Sequence, residues 1–575
     1  MLRRSPQMKP LRPKKKATLS KNVTPAMITT RSSLGHRAPL LWLTLPFATG
    51  LALGHSSASA VPLAIVSIIG LVSGCSAWIL SRQNNPAWAL AFITGTIATG
   101  ALYHELRRDR LPDWTALPAR EATLTIRIDR IFVSPSHYSS RSYLGQVMAA
   151  PPHLADLNGQ RLYLRVRGSD LTANLMRSST IEVIGHLAPL PRSTRSADDF
   201  DAYLTDSGLN FSLIRGRVLA ISKPPTAFAQ LREQIKKRGS NALSIGLETH
   251  PNLAGALRAM LLGERQHLDE ADKSLFVRTG TMHLFAISGL HIGIIAGALF
   301  GALRSIRLGR LTTFLASTAL LAFYVDMIGR TPSSVRAWLM VTCVHAASLI
   351  RAPRNPVAAI AGSALLVLLI DPMQLFSAGF QMSYGIVFAL LLYGLPLGEY
   401  LGQKLRLYRD LPEGSLTKWQ RIWRDSWEQT LSFTALAWAA TTVGLISGIA
   451  FFGWFTPIAF LANLLLIPAA GLAIVGGFIA LICGWVGLLP LALFFNHAAA
   501  VVLLVIQAFL TVAVEWSMLS HPAEFRWANW GATGMLLVLS SIVIGYANSW
   551  ETKVGRWWGP PLVSLVVLVI GTRFT

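Results

Sequence analysis

The run His-Leu-Phe-Ala-Ile-Ser-Gly-Leu-His at 283–291 stands at the mouth of a long apolar stretch. Polar side chains at the edge of a membrane span are costly to desolvate and usually face protein or water. His283, Ser288 and His291 therefore admit three chemistries. They can line a polar conduit. They can hydrolyse a bond, with Ser288 as nucleophile and a histidine as base, because Ser288 and His291 are one helical turn apart. Or they can hydrogen-bond neighbouring helices. For hydrolysis, the sequence offers no obvious carboxylate to orient the base and no second motif for an oxyanion hole. Gly289, Gly293, Gly297 and Gly301 recur at every fourth position, the spacing of a small-residue stripe that lets another helix approach closely. Other polar groups at membrane depth are Asp326, Arg330, Arg336, His345, Asp371, Gln381, Ser383 and Asn463. Ionisable residues in lipid pair with one another or mark a transport path. Arg336, Asp326 and Asp371 fall near the outer ends of their spans, so an ion pair is expected there without its partner being fixed.

A second group lies upstream. Arg127, Arg130, Arg141, Arg161, Arg165 and Arg167 alternate with Phe132, Tyr138, Tyr143 and Tyr163. Basic groups interleaved with rings suit a single-stranded nucleic-acid groove, where cations track phosphates and rings stack on bases. The competing reading is a solvated barrel surface over core aromatics, and Asp129, Asp156, Asp170 and Glu182 dilute the basic face. No G-x-x-x-x-G-K-[ST], H-E-x-x-H or Rossmann glycine signature occurs, so no ATPase of its own, no metal and no cofactor are expected.

The elements that carry these groups follow from composition. The chain has 575 residues, is 52% hydrophobic and only 14% charged, and bears a net charge of +24. That excludes a soluble enzyme, a disordered chain and a fibrous one. Apolar runs fall near 38–54, 60–80, 86–103, 283–303, 311–329, 333–350, 356–370, 376–396, 429–451, 455–484, 490–514, 530–548 and 559–572. The fold expected is a polytopic α-helical membrane protein of about 11–13 spans with an inserted extracytoplasmic all-β OB-like domain. The domains expected are a basic cytoplasmic tail (1–37), N-terminal membrane helices (38–103), the OB-like domain (115–222), interfacial amphipathic helices (224–282) and a membrane core (283–572).

The OB-like domain is read from five strands near 122–131, 143–149, 161–167, 179–187 and 211–221, separated by Gly, Pro, Ser and Asn. Over 227–247 an amphipathic helix is expected, with Phe228, Leu231 and Ile235 as its apolar face and a break at Gly239. The basic tail and basic loops place the N-terminus inside and 104–282 outside. In that alternation the 455–484 run crosses once, broken near Pro468, and the turn after it falls inside. Cys75, Cys343 and Cys483 each sit in an apolar run and read as small buried hydrophobes.

These residues resemble a known family. Gly-Ala-Leu-Arg-Ala-Met-Leu-Leu-Gly at 255–263, Phe276 to Gly280, and the 283–293 run closely resemble the hallmark of the ComEC family of bacterial competence channels. Ser-Val-Arg-Ala-Trp-Leu-Met at 334–340, Asn355-Pro356, Asp371-Pro372, Gly-Phe-Gln-Met-Ser at 379–383, Ala462-Asn463 and Pro468 follow in the family's order. Asp199-Phe200-Asp201 and Tyr203-Leu204 look like its linker after the β domain. The resemblance covers roughly 38–520. It implies an inner-membrane channel passing single-stranded DNA into the cytoplasm during natural transformation, with an OB-like domain that contacts incoming DNA. The phosphates then need compensating groups, for which His283, His291, Arg330 and Arg336 are candidates.

The partners implied are single-stranded DNA, membrane lipid, a separate cytoplasmic ATPase or helicase, a periplasmic DNA receptor and a separate nuclease; a homo-oligomer is compatible. Many relatives carry a C-terminal metallo-β-lactamase-like domain, whereas this chain shows no His-x-His-x-Asp-His run, so no nuclease is expected in it. Two other classes remain open: a non-transporting membrane binding or assembly paralogue, and a serine membrane hydrolase.

Overall fold

A computed structural model describes residues 40–574, without 57–61, 84, 109–117, 133–139, 169–174, 191–199, 207, 269–275, 277–278, 282–286, 350–354, 516–519, 528, 549 and 551–555. The basic tail 1–37, Tyr138 and His283 lie outside the described residues.

Three apolar helices open the fold: α1 (Leu41–Ser56), α2 (Leu63–Arg82) and α3 (Ala87–Arg108). Glycines bring α1 and α3 together. A Cβ at Gly50 would fall 2.0 Å from the Ile97 carbonyl oxygen, and one at Gly100 2.4 Å from that of Phe47. Helix α2 packs on α3 and turns Ile68, Leu71, Val72 and Cys75 outward. Of the three cysteines only Cys483 is buried; Cys343 is partly exposed and Cys75 faces out, as an apolar side chain does toward lipid.

Strands β1 (Arg120–Phe132), β2 (Ser140–Ala149), β3 (Arg161–Arg167), β4 (Thr180–Pro189) and β5 (Phe211–Lys223) close a barrel in the order β1-β2-β3-β5-β4. Only the β3–β5 pair is parallel. This is the five-stranded OB arrangement. A register shift between Ile128 and Arg130 lets β1 bend far enough to pair with both β2 and β4. Strict alternation on β1 and β3 sends Leu124, Ile126, Ile128, Leu162, Leu164 and Val166 into the barrel core.

Between β4 and β5 lies a short helix, α4 (Phe200–Asp206). After the barrel comes α5 (Ala227–Ala242), capped by the Thr226 hydroxyl, which accepts from the Ala229 N–H at 3.3 Å. The expected break at Gly239 does not occur. Gly239 is buried inside the helix, where a Cβ would fall 2.8 Å from Leu481, so the residue allows close packing instead of ending the helix. The expected apolar face is also divided. Ile235 packs on the core, while Phe228 and Leu231 stay about half exposed and available to an interface.

The remaining helices are α6 (Pro251–Leu262), α7 (Gly289–Ser305), α8 (Arg310–Met327), α9 (Pro332–Leu349), α10 (Pro356–Ile370), α11 (Ala378–Lys404, with a π-helical turn at Leu390–Gly394), α12 (Lys418–Phe452), α13 (Ala459–Val486), α14 (Leu489–Glu515), α15 (Trp530–Ala547) and α16 (Gly559–Gly571). They form two cores. One gathers α6, α7, α8, α13 and α14, with α6 buried along almost its whole length. The other gathers α11, α12, α15 and α16. Each apolar run expected from the sequence is a helix. Among the described residues six helices are long and apolar enough to cross a bilayer, and α7, α10 and α16 are apolar but shorter. The chain is thus a multi-pass membrane protein with an inserted β-barrel.

Helix α13 runs unbroken through Pro468. Strict alternation of spans places the turn between α13 and α14 at the end opposite Asp326. Instead, that hairpin's tip packs on α5: Gly484 leaves room for Ala242, and Asn496 on α14 donates to the Ala242 and Ile245 carbonyls at 2.9 and 3.0 Å. Since α5 itself binds Asp326, the tip is tied to the Asp326 end. A three-stranded sheet, β6 (Trp454–Phe455), β7 (His521–Phe525) and β8 (Thr572–Phe574), joins the segments after α12, α14 and α16.

The α5–hairpin seam leaves no space at Gly484, where a Cβ would sit 2.3 Å from that of Ala242. Gly484→Leu is expected to destabilise the protein by about 1–3 kcal/mol through overpacking. A lowered unfolding midpoint in detergent, together with faster hydrogen exchange confined to α5, is the result that checks it.

Candidate nucleic-acid interface and the motif end of the bundle

The outer face of β3 presents Arg161, Tyr163, Arg165 and Arg167, because its inward positions are Leu162, Leu164 and Val166. Cross-strand pairing sets Gln146 beside Arg161, and Arg127 beside Gln146. The Arg127 Nη2 donates to Gln146 Oε1 at 2.7 Å, and Arg165 Nε donates to Ser140 Oγ at 3.2 Å. Arg130 stacks its guanidinium 5.2 Å from the Phe132 ring, and Arg141 is exposed at the start of β2. Arg127 and Arg130 of β1 and Arg161, Arg165 and Arg167 of β3 therefore form one basic face, whereas Arg141, paired with the inward Val166, stands on the other row of β2.

Two expected ring contacts change. Tyr143 points into the barrel and is 1% exposed, so it is a core residue and cannot stack on a base. Burial pushes its phenol above the ordinary tyrosine range, and the nearby Arg141 charge offsets part of that rise. Tyr163 faces outward, but Phe200 of α4 lies edge-on against it at 5.3 Å and Phe132 at 5.9 Å. Leu190, Leu204 and Leu209 cover the same surface, and a Cβ at Gly208 would lie 4.0 Å from Met373 of the bundle. The chain's own β4–β5 connection thus occupies the ring side of the face, while Arg161, Arg165 and Arg167 stay exposed and Arg127 pairs with Asp129.

Barrel and bundle meet at one carboxylate. Asp326, in the last turn of α8, is 8% exposed and pairs with three arginines. Arg177, in the turn before β4, reaches Oδ1 at 3.2 Å and donates to the Asp326 carbonyl at 3.0 Å. Arg232 of α5, itself 7% exposed, donates to Oδ2 at 3.1 Å. Arg330 approaches Oδ1 through Nε at 2.6 Å and stays 64% exposed. Burial lowers the Arg177 guanidinium below the ordinary arginine range, and Asp326 counters that. Near the same junction, desolvation and the like charge of Arg130 lower Arg265, in the turn after α6. Arg177 and Arg232 escape sequence reasoning. A lone acid in an apolar run signals that a cation is needed, but not which one.

The motif residues sort into caps and contacts. Ser288 is the N-cap of α7, and His291 takes the third position of a capping box: its Nδ1 accepts the Ser288 N–H at 3.2 Å and lies 2.9 Å from Ser288 Oγ. His291 is fully buried. The glycine stripe does not receive a helix. A Cβ at Gly289 would lie 3.9 Å from that of Ala337, but among the described residues nothing lies within 4 Å of a Cβ at Gly293, Gly297 or Gly301.

Arg336, 4% exposed, donates from Nη2 to Ser383 Oγ at 3.0 Å, and Gly379 makes room for it at 3.0 Å. The 334–340 and 379–383 motifs are thereby brought together. Asp371 caps the turn Pro372–Phe376, accepting from the Met373 N–H and Gln374 Nε2, and Gln381 donates to the Leu375 carbonyl at 3.0 Å. Asn463 is in the first turn of α13 with a buried Oδ1 that has no hydrogen-bond partner, near where Thr456 approaches Gly280. His345 packs against the Phe300 ring at 4.6 Å. Through Gly289–Ala337 and Arg336–Ser383 the starts of α7, α9 and α11 gather near the end of α8, where Arg177 of the barrel reaches Asp326.

The Competence protein family model matches residues 260–552, just over half of the chain and nearly all of this bundle. The chain belongs to that family. It is similar to ComE operon protein 3 of Bacillus subtilis (strain 168), at 39% identity over 145 residues, which is 25% of this chain and 18% of that protein. It is also similar to Recombination protein 2 of Haemophilus influenzae (strain ATCC 51907 / DSM 11121 / KW20 / Rd), at 29% identity over 198 residues, 33% of this chain and 24% of that protein. The matches thus span less than a quarter of either relative's length. No solved structure matches. The competence-family hallmark at 255–263 and 283–293 falls on α6 and the start of α7, and its Arg336 and Gly379–Ser383 segments on the Arg336–Ser383 contact.

Asp326→Asn leaves Arg177 and Arg232 buried without their counter-charge, and a loss of about 3–5 kcal/mol of stability is expected. Arg330→Ala, at an exposed position, is expected to cost under about 1 kcal/mol. Unfolding of the two purified variants in detergent separates them. In the barrel, Tyr143→Phe should be nearly neutral for nucleic-acid binding, whereas Tyr143→Ala should destabilise by about 3–5 kcal/mol.

Proposed function

We propose that this competence-family chain is the inner-membrane channel that passes single-stranded DNA into the cytoplasm during natural transformation, with the barrel on the extracytoplasmic side. Family membership supports a role in DNA uptake. The observation that carries the channel reading is the arginine face on β1 and β3, joined through Asp326 to the bundle end where the family motifs meet.

A single strand brings one negative charge per nucleotide, and phosphates are not stable against a bare apolar wall. Arg161, Arg165 and Arg167 gather the strand on the barrel, and Arg130 and Arg330 stand near the junction. Base stacking on Tyr163 is not needed, since a backbone-reading face works through phosphates alone. The energy for movement and the removal of the second strand fall to separate proteins: a cytoplasmic ATPase or helicase, a DNA receptor on the barrel side, and a nuclease.

The 2.9 Å approach of Ser288 Oγ to His291 Nδ1 favours one other reading, a serine hydrolase. The same nitrogen accepts the Ser288 backbone N–H, which makes helix capping its first task. Fluorophosphonate labelling of Ser288 in active membranes decides between them; absence of labelling is expected.

A clean deletion should abolish cytosolic uptake of labelled DNA, with rescue by the wild-type gene. Uptake equal to that of the parent would defeat the channel reading and leave a binding or assembly protein. Arg161→Gln with Arg165→Gln should lower single-strand affinity and reduce the salt slope by roughly one unit.

A further inference from the structure

Helix α12 has 35 residues. At the α-helical rise that is about 52 Å, against a hydrocarbon core of about 30 Å. Its apolar part runs over 431–452, while 418–430 reads Lys-Trp-Gln-Arg-Ile-Trp-Arg-Asp-Ser-Trp-Glu-Gln-Thr. Roughly 20 Å of helix therefore projects past the hydrocarbon. This is the end remote from the barrel: α11 and α12 run antiparallel, with Gly385 near Val443 and Gly398 near Ser432, and Ser383 is the residue that meets Arg336.

The projecting turns carry tryptophans at every fourth position. Trp419 is 74% exposed and Trp423 65%; Trp427 donates its Nε1–H to the Leu405 carbonyl at 3.0 Å. Four-residue spacing puts them along one side of the helix, about 6 Å apart. Lys418 and Arg421 are exposed on the same turns. Asp425 and Glu428 turn to the opposite side, where they border a cavity of about 460 Å³ with Gln429 and Ser432. Over 404–428 six cations accompany four carboxylates, and Asp425 pairs with Arg424 and Glu428 with Arg406.

An aromatic belt in lipid would account for rings at the headgroup level, which adds only about 5–8 Å per side. Trp423 and Trp419 stand about 12–18 Å beyond the apolar part of the helix. Exposed rings flanked by Lys418 and Arg421, with Asp425 and Glu428 on the other side of the helix engaging Arg424 and Arg406, suit stacked bases and tracked phosphates. We propose that the projecting end of α12 is a landing site for single-stranded nucleic acid as it leaves the bundle at the end remote from the barrel, with Trp419 and Trp423 as stacking platforms and Lys418 and Arg421 as phosphate contacts. The proposal rests on the channel reading.

The test uses the full chain in nanodiscs of phosphatidylcholine, carrying Arg161→Gln and Arg165→Gln so that barrel binding is weakened, and a labelled 20-nucleotide thymidine strand. Trp419→Ala with Trp423→Ala should weaken the remaining affinity by about tenfold or more, whereas Trp419→Phe with Trp423→Phe should retain most of it. Residual affinity unchanged by the alanine pair would overturn the landing site while leaving the channel reading, which the deletion tests separately. Tryptophan emission is recorded without the strand, in discs with and without anionic lipid. A blue shift on adding anionic lipid that vanishes in the alanine pair, with strand affinity unchanged, would assign the surface to the membrane and likewise overturn it.

Discussion

The architecture depends on a buried carboxylate that cannot be left alone. Asp326 sits at the end of an apolar helix, and its charge is tolerable there only because guanidiniums from three places reach it: the barrel, α5, and its own chain four residues on. Each of those arginines is in turn held by the acid, so the barrel's seat on the bundle and the seat of α5 are set by the same atoms. One anion among three cations also leaves a local excess of positive charge. Arg330 shows that excess to solvent, and Arg265 near Arg130 extends it. A junction that fixes two modules is thus also attractive to polyanions, without a separate set of residues for each purpose.

The polar residues near it divide by the same logic of satisfaction. Ser288 and His291 close the first turn of α7; Asp371, Gln374 and Gln381 close the turn before α11; Arg336 is held by Ser383 in space that Gly379 leaves. Each of these residues makes at least one hydrogen bond to protein, which is what lets irregular backbone persist at membrane depth. The open glycine edge of α7 is different. Among the described residues no helix packs on Gly293, Gly297 or Gly301, whereas Gly50 and Gly100 sit in close helix packing.

Much of this was legible because both periodicities were clean. The apolar runs match helices nearly residue for residue, and the five strands follow from two-residue alternation between clusters of turn-forming residues. The misreadings arose where tertiary contacts override local rules. Gly239 looks like a breaker but serves packing, Pro468 rides inside a helix secured on both sides, and Tyr143 belongs to the inward row of β2 despite neighbouring arginines. The α13–α14 hairpin reverses the expected end because Asn496 and Gly484 bind it to α5, and no loop charge reports such a contact. Arg177 and Arg232 could not be picked from many exposed arginines, since their burial is a product of docking.

The small sheet that joins β6, β7 and β8 carries a consequence for the order of synthesis. Its strands come from the segments after α12, α14 and α16, with well over a hundred residues between the first and the last. A chain made from its N-terminus can fold the barrel and seat Arg177, Arg232 and Asp326 while later helices are still being inserted. The seam at β7 and β8 cannot close until Thr572–Phe574 have been made. The competence bundle therefore stays unlaced on that side until its last strand, β8, has followed the helices it joins.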